Sequence, residues 1–373
     1  MDFALGAEHQ AVLEVAKQVA DSLAPGALDR DISGQFPAEM LRTVGQAGLL
    51  GLDTPEEAGG QGAGSVVTGL VAEELAAADY LAGSFIVQSS TGSRLLHKFA
   101  APEVAEEWLP QLLAGNTTLA LALTEAHTGS DLADIRVRAR HSGNEWRITG
   151  EKTSVSFPRS AGIVVLARTD DGPALLLVRS SDAIATQRLD DVGARALGRS
   201  VMTFDAVPPA DITLLTQGQD SLRAVFGSLV TARLLVCMTA LGVARAAADE
   251  ADDWARQRYT FGAPLSQRQG IAFPAVDAAI DIELGRLLAL KGLWLADQGL
   301  PHDREAAMAK AWIPPRMFDI CHWALQVCGH PAYTREHRAQ MRLRDVLATE
   351  IGEGATNIQR LILARQMFGT RPG

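Results

Sequence analysis

From about Ala4 to Leu113 apolar residues recur every three to four positions, as in "HQAVLEVAKQVADSL", "AEMLRTVGQAGLL" and "VVTGLVAEELAAA". That period predicts a layer of helices, broken by the loop "EEAGGQGAG". From about Thr118 the texture changes to short alternating or β-branched runs: "TLALALT", "EWRITGEK", "AGIVVLAR", "ALLLVRS" and "SVMTFDAVP". Gly, Asp, Ser and Pro separate these runs, so a compact β module is expected there. After "PADITLL" the helical period returns in long Ala/Leu-rich segments that hold to the end, which predicts a bundle. The expected fold class is therefore α+β and multi-layered. It has an N-terminal helical domain over 1–117, a central β-barrel or sandwich domain over 118–215 and a C-terminal four-helix bundle over 216–373.

Composition narrows what such a chain can do. At 373 residues it can bury real apolar cores without disulfides or metal staples. Its formal charge of -10 disfavours a broad surface for nucleic acid or anionic lipid. The N-terminus has no apolar run of the kind a signal peptide needs, and no apolar stretch reaches the roughly 18 residues of a membrane span. Cys237, Cys321 and Cys328 lack a C-x-x-C spacing and read as small buried hydrophobes of a cytoplasmic protein. The eight histidines make no metal-ligand pattern, so no metal is expected.

The chemistry centres on "EIGEGATNIQRLILARQM", where Glu353 lies between Gly352 and Gly354. Two neighbours without Cβ let the backbone approach another group closely. Ile358, Leu361, Ile362 and Met367 fall largely on one helical face, which predicts a buried helix that fixes this loop. A carboxyl in such a semi-apolar place has a raised pKa and can act as a base on a weakly acidic C–H. Against this stands an exposed acid near a helix N-terminus, with Thr356 or Asn357 as the cap. In "LTEAHTGSDLADIRVRARHSGNEWRITGEK", Thr124, Thr128 and Ser130 are short donors suited to the edge of a planar ligand or to a phosphate, though "TGSD" is also a common turn. In "RQRYTFGAPLSQRQ", Arg256 and Arg258 end a helix that Gly262 closes, or Arg258 and Thr260 clamp a diphosphate.

Taken in order, these segments resemble the acyl-CoA dehydrogenase family. The chain carries Thr124-Glu125 with Gly129-Ser130-Asp131, then Gly150-Glu151-Lys152, then Arg258-Tyr259-Thr260-Phe261-Gly262 with Gln269 seven residues beyond the Gly. Gln326-Val327-Cys328-Gly329, Arg344-Asp345 and Glu353-Gly354 follow. The resemblance spans essentially the whole chain. It implies an FAD-dependent dehydrogenase that introduces a Cα–Cβ double bond into an acyl thioester, carried by CoA or by an acyl-carrier protein. Glu353 would abstract the α-proton while flavin N5 accepts the β-hydride, and Arg233 would stand behind the carboxylate. Leu123 and Thr124 would meet the flavin's pyrimidine edge, and Ser130 the diphosphate or the phosphopantetheine side. Arg258, Thr260, Phe261, Gln269, Gln326 and Gly329 would reach the diphosphate and adenine, Arg258 and Gln326 from a neighbouring subunit. Electrons would pass to an electron-transfer flavoprotein, and the assembly would be a homotetramer, a dimer or a heterotetramer.

Four positions depart from the family's pattern. Ser154 stands where a flavin-covering aromatic is typical, leaving Ser156 as the hydroxyl toward the ring. His330 replaces the second glycine of a pair. Ala355 replaces a Thr on the flavin side, with Thr356 next to it as the nearest hydroxyl. Gly352 precedes the base where an aromatic is common, which would widen the acyl pocket. The alternatives on the same fold are a flavin monooxygenase or oxidase, for which a carboxylate at position 353 is unnecessary, and a partner subunit of a heteromeric dehydrogenase.

Overall fold

A computed structural model describes residues 5–142, 145–205 and 207–369. Six helices come first: α1 (Ala7–Leu23), α2 (Ala27–Ser33), α3 (Ala38–Gln46), α4 (Gly64–Ala78), α5 (Tyr80–Phe99) and α6 (Pro102–Leu113). In α3 the period shows plainly: Met40, Leu41 and Val44 are buried while Glu39 and Arg42 face outward. Asp79 caps α5, its Oδ1 accepting the Leu81 N–H at 2.9 Å.

Among the described residues nine strands follow: β1 (Leu119–Ala122), β2 (Arg138–Ser142), β3 (Glu145–Thr149), β4 (Glu151–Val155), β5 (Gly162–Thr169), β6 (Gly172–Arg179), β7 (Ala185–Arg188), β8 (Ser200–Thr203) and β9 (Ile212–Gln217). They form two sheets. The larger runs β3-β2-β5-β6-β9, and the smaller runs β4-β8-β7. β1 and β2 both pair in parallel with β5, β1 along Gly162–Val165 and β2 at Arg168. They therefore share one edge of β5 end to end, and the segment between them leaves the sheet as a loop. Ala120, Val137, Val165 and Leu176 fill the space between the sheets with Phe204, while Leu119, Val164, Leu166 and Leu175 on the other face pack against helices. Strands β2 and β7 escape the hydrophobic pattern, since "RARHS" and "ATQR" are almost wholly polar and exposed.

The last third holds α7 (Gln219–Gln257), the hairpin β10 (Tyr259–Thr260) and β11 (Ala263–Pro264), then α8 (Gln269–Asp297), α9 (Asp303–Cys328), α10 (Arg338–Ile351) and α11 (Thr356–Phe368). Helices α7 to α10 make the bundle, with α4 and α5 laid against α7 and α11 against α9. By length and hydropathy α7 is the one helix among the described residues that is long and apolar enough to cross a membrane. Counting unbroken apolar runs misses it, because Arg233 interrupts the sequence. Its apolar window is 78% buried within the protein, as a core helix must be. The three cysteines are buried.

Two local expectations are corrected. Helix α7 ends at Gln257, and Gly262 sits in the β10–β11 turn beside Phe261, with φ +80° and +50° respectively. Helix α11 does not bury the Ile358, Leu361, Ile362 and Met367 face in a core: Met367 is 70% exposed, and the buried residue is Gln359.

Candidate active site

A cavity of about 1060 Å³ opens where the β module, the first half of α7 and the loop between α10 and α11 meet. The segment that leaves the sheet after β1 supplies Leu123, Thr124, Gly129, Ser130 and Leu132 to one wall. Buried Glu125 holds this segment. Its carboxylate accepts the backbone N–H groups of Arg136 at 2.7 Å and Val137 at 3.0 Å, and pairs with Lys152 Nζ at 2.7 Å. Lys152, fully buried on β4, also donates to the Leu123 carbonyl at 2.9 Å. Burial alone would raise the Glu125 pKa, but Lys152 and the two N–H groups hold it below the usual range. This pair ties the start of the loop to its end, a role the sequence motifs do not reveal because it needs β4 brought beside β1.

Strand β4 carries a bulge between Lys152 and Val155, with Ser154 at φ +57°. Ser154 and Ser156 both line the cavity. The opposite wall comes from Leu222, Phe226, Val230 and Arg233 of α7, with Asp303 at the start of α9.

Glu353 closes the inner end. Helix α10 stops with Gly352 at its C-cap, Glu353 adopts φ +54° and Gly354 φ +92°. A left-handed conformation at a non-glycine residue costs on the order of 1–2 kcal/mol, so neighbours must hold it. Arg233 Nε donates to the Glu353 carbonyl at 3.0 Å. Gln359 Nε2 and Lys310 Nζ both donate to the Gly354 carbonyl at 3.2 Å. The φ of +92° favours glycine at 354, and a Cβ there would lie 2.7 Å from Gln359 Nε2, so that side chain would have to shift and give up its bond to the Gly354 carbonyl. Desolvation raises the Glu353 pKa, while Arg233 and Lys310 pull against it. Arg233 is itself lowered by burial, with Glu353 and Asp303 opposing. Arg233 thus lines the cavity.

The loop is not capped as the sequence allowed. Ala355 is the N-cap of α11 with no side-chain bond, and Thr356 Oγ1 donates to the Glu350 carbonyl at 3.4 Å, away from the cavity. Ile358 and Ile362 line the cavity, which is why that face of α11 is not core.

The structure brings together Glu353, Arg233, Leu123, Thr124, Ser130 and Ser156. Arg258, Thr260, Phe261, Gln269, Gln326 and Gly329 gather instead at the far end of the bundle, where α7 and α9 finish and α8 begins. Phe261 there is 99% exposed, and a Cβ on Gly329 would meet nothing within 4 Å. Along α7, Arg258 lies roughly 37 Å from Arg233 at 1.5 Å per residue.

Comparison with known proteins covers the same ground. Residues 6–116, 120–207 and 222–368 match the N-terminal, middle and C-terminal domains of acyl-CoA dehydrogenase. The probable acyl-CoA dehydrogenase YngJ of Bacillus subtilis (strain 168) is 32% identical, over 99% of this chain and 100% of that one. The butyryl-CoA dehydrogenase of Megasphaera elsdenii superposes with a TM-score of 0.93 at 25% identity, covering 98% of this chain and 100% of that one. A glutaryl-CoA dehydrogenase of Mycobacterium smegmatis, solved in complex with FADH2, does so with a TM-score of 0.93 at 24% identity over 99% and 96%.

Proposed function

The chain belongs to the acyl-CoA dehydrogenase family of FAD-dependent oxidoreductases acting on CH–CH bonds, and from that premise we propose that it desaturates an acyl thioester between Cα and Cβ with Glu353 as base. The observation that carries this reading is a half-buried carboxyl lining the cavity, its pKa raised by desolvation, on a loop whose backbone is pinned from three sides.

The cavity suits a flavin ring. Leu121, Leu123 and Leu222 offer apolar wall, and the hydroxyls of Thr124, Ser130 and Ser156 offer donors along the rim. Arg258, Thr260, Phe261, Gln269, Gln326 and Gly329 lie too far from Glu353 to serve the same dinucleotide within one chain, so we assign them to the diphosphate and adenine of a neighbour's FAD. The exposed stripe Phe273, Val276, Ile280, Leu284 and Leu287 on α8 supports such an assembly, since it repeats at helical spacing beside these residues. When bound, FAD would supply the acceptor for the hydride that leaves Cβ.

The chain's own residues do the rest. Glu353 takes the α-proton; burial raises its proton affinity toward that of so weak an acid, and the fixed loop keeps the carboxyl from swinging away. The Glu125–Lys152 pair holds Leu123 and Thr124 where the ring's edge would lie. Gly352 lines the cavity without a side chain, leaving room for an acyl group broader than a straight chain. Arg223 of α7 stands at the rim, and Arg138 and Arg140 on the outer face of β2, with Arg136 just before the strand, are all exposed. Arg140 faces Arg147 across β3, and Arg138 faces Arg168 across β5. Like charges in register favour an anionic visitor, as the phosphate groups of a thioester carrier are. Electrons would leave to an electron-transfer flavoprotein.

The test is anaerobic bleaching of the bound flavin by a panel of acyl-CoA and carrier-linked acyl thioesters. Wild type should bleach with at least one member; Glu353→Gln should keep its yellow flavin and lose bleaching by 10²-fold or more. Colourless protein that refuses FAD, or a Glu353→Gln variant bleaching at the wild-type rate, would overturn the reading.

A further inference from the structure

Lys310 is the eighth residue of α9, fully buried on a helix whose Ala307, Ala309, Ala311 and Ile313 are buried too, and no carboxylate pairs with it among the described residues. A buried ammonium without an ion-pair partner is costly, so its retention in an apolar face calls for a role. Its hydrogen-bond partners are two backbone carbonyls. Nζ donates to Gly354 at 3.2 Å and to Glu350 at 3.4 Å, the residues that bracket the Glu353 turn. The Glu350 carbonyl is one of the last four of α10, which have no partner within the helix and form the negative end of its dipole.

We propose that Lys310 is a positioning residue for the base: from beneath the loop its ammonium clamps both flanks of the Glu353 turn and neutralises the α10 terminus that points at the carboxylate. The proposal rests on Glu353 being the base. It separates two jobs that Arg233 alone cannot do. Arg233 holds the Glu353 carbonyl from the cavity side, whereas Lys310 and Gln359 hold the next carbonyl from the protein side. Without Lys310 the turn would keep one anchor on each flank at most, and the left-handed Glu353 would relax toward an ordinary conformation that moves its carboxyl. The charged and titratable groups around the pair are Arg233 and Cys237 on α7, Asp303 on α9, Glu350 on α10 and Tyr80 on α5. Cys237, also fully buried, and Glu350 face Lys310, while Tyr80 and Arg233 face Glu353.

The experiment compares Lys310→Met, which removes charge and donor, with Lys310→Gln, which keeps a donor. Flavin reduction is measured against pH in the FAD-loaded enzyme. The Glu353 carboxyl band, identified by its loss in Glu353→Gln, is titrated by infrared difference spectroscopy without substrate. Lys310→Met should retain flavin, reduce it at least tenfold more slowly, and move both the acid limb and the carboxyl titration to higher pH. Lys310→Gln should regain part of the rate but keep the upward shift. A carboxyl titration at the wild-type position in either variant overturns the proposal, as does lost stability or flavin content with no such shift. If Lys310→Met does not fold, Lys310→Gln decides. A Glu353→Gln enzyme with wild-type turnover would instead remove the base assignment itself.

Discussion

Arg233 Nε donates to the backbone carbonyl of Glu353, 120 residues away, at 3.0 Å, and not to its carboxylate. The arginine therefore fixes where the proposed base stands more than it neutralises it. A charge-assisted bond of this kind contributes about 1.5–3 kcal/mol. Arg233→Gln should slow flavin reduction ten- to a hundredfold while leaving flavin content unchanged, read by stopped-flow bleaching. Unchanged rates would show that the loop holds itself.

Gly354→Ala tests the turn. The added methyl would meet Gln359 Nε2 at 2.7 Å with φ at +92°. A cost of about 1–3 kcal/mol is expected, seen as a lower Tm and a lower reduction rate together. Gln359→Ala in the same background should not restore the rate, since it removes an anchor of the same carbonyl and leaves the φ strain.

Asp345 joins three parts of the chain. Its carboxyl on α10 accepts the Ala194 N–H at 2.6 Å from the β module, with Asp31 and Asp79 of the N-terminal helices nearby. Burial, with Asp31 and Asp79 adding to it, pushes its pKa up to about 7, against the Ala194 bond and Arg344. A raised acid pKa penalises the ionised form, so stability present below about pH 4 is lost as pH rises toward 7. Asp345→Asn should flatten that decline, with a gain on the order of 2–4 kcal/mol at pH 8 and little change at pH 4, measured by denaturant unfolding.

Ile280→Asp, in the middle of the α8 stripe, tests shared sites. Sedimentation should show smaller species, and flavin should be lost with assembly. A monomer that stays yellow would mean that each chain holds its FAD alone.

Reversing Arg136, Arg138 and Arg140 to Glu should raise KM for the thioester without lowering kcat, and should weaken the salt dependence of kcat/KM. Steady-state kinetics at two ionic strengths decides it. A fall in kcat instead would place these residues at the chemistry.

How much of this was legible beforehand depended on distance along the chain. Glu353 between glycines, and the Thr124 to Ser130 loop, could be read because local sequence decides a turn. Lys152 with Glu125 could not, since only the pairing of β1 and β4 with their neighbours makes them partners. Lys310 left one trace, a lone cation in "AAMAKAWI", which a pattern of apolar spacing passes over as noise. The face of α11 misled because residues that line a ligand cavity are as apolar as those that fill a core. Strands β2 and β7 were invisible for the opposite reason, as polar strands whose identity comes from their hydrogen-bonded neighbours.

Helix α7 acts as a ruler. Arg258 caps the rod that carries Arg233, about 25 residues on, so the span between them is set chiefly by residue count. One inserted residue would turn Arg258 by about 100° and push it about 1.5 Å farther out. A length change in this stretch would thus alter the span and the heading between the two arginines at once.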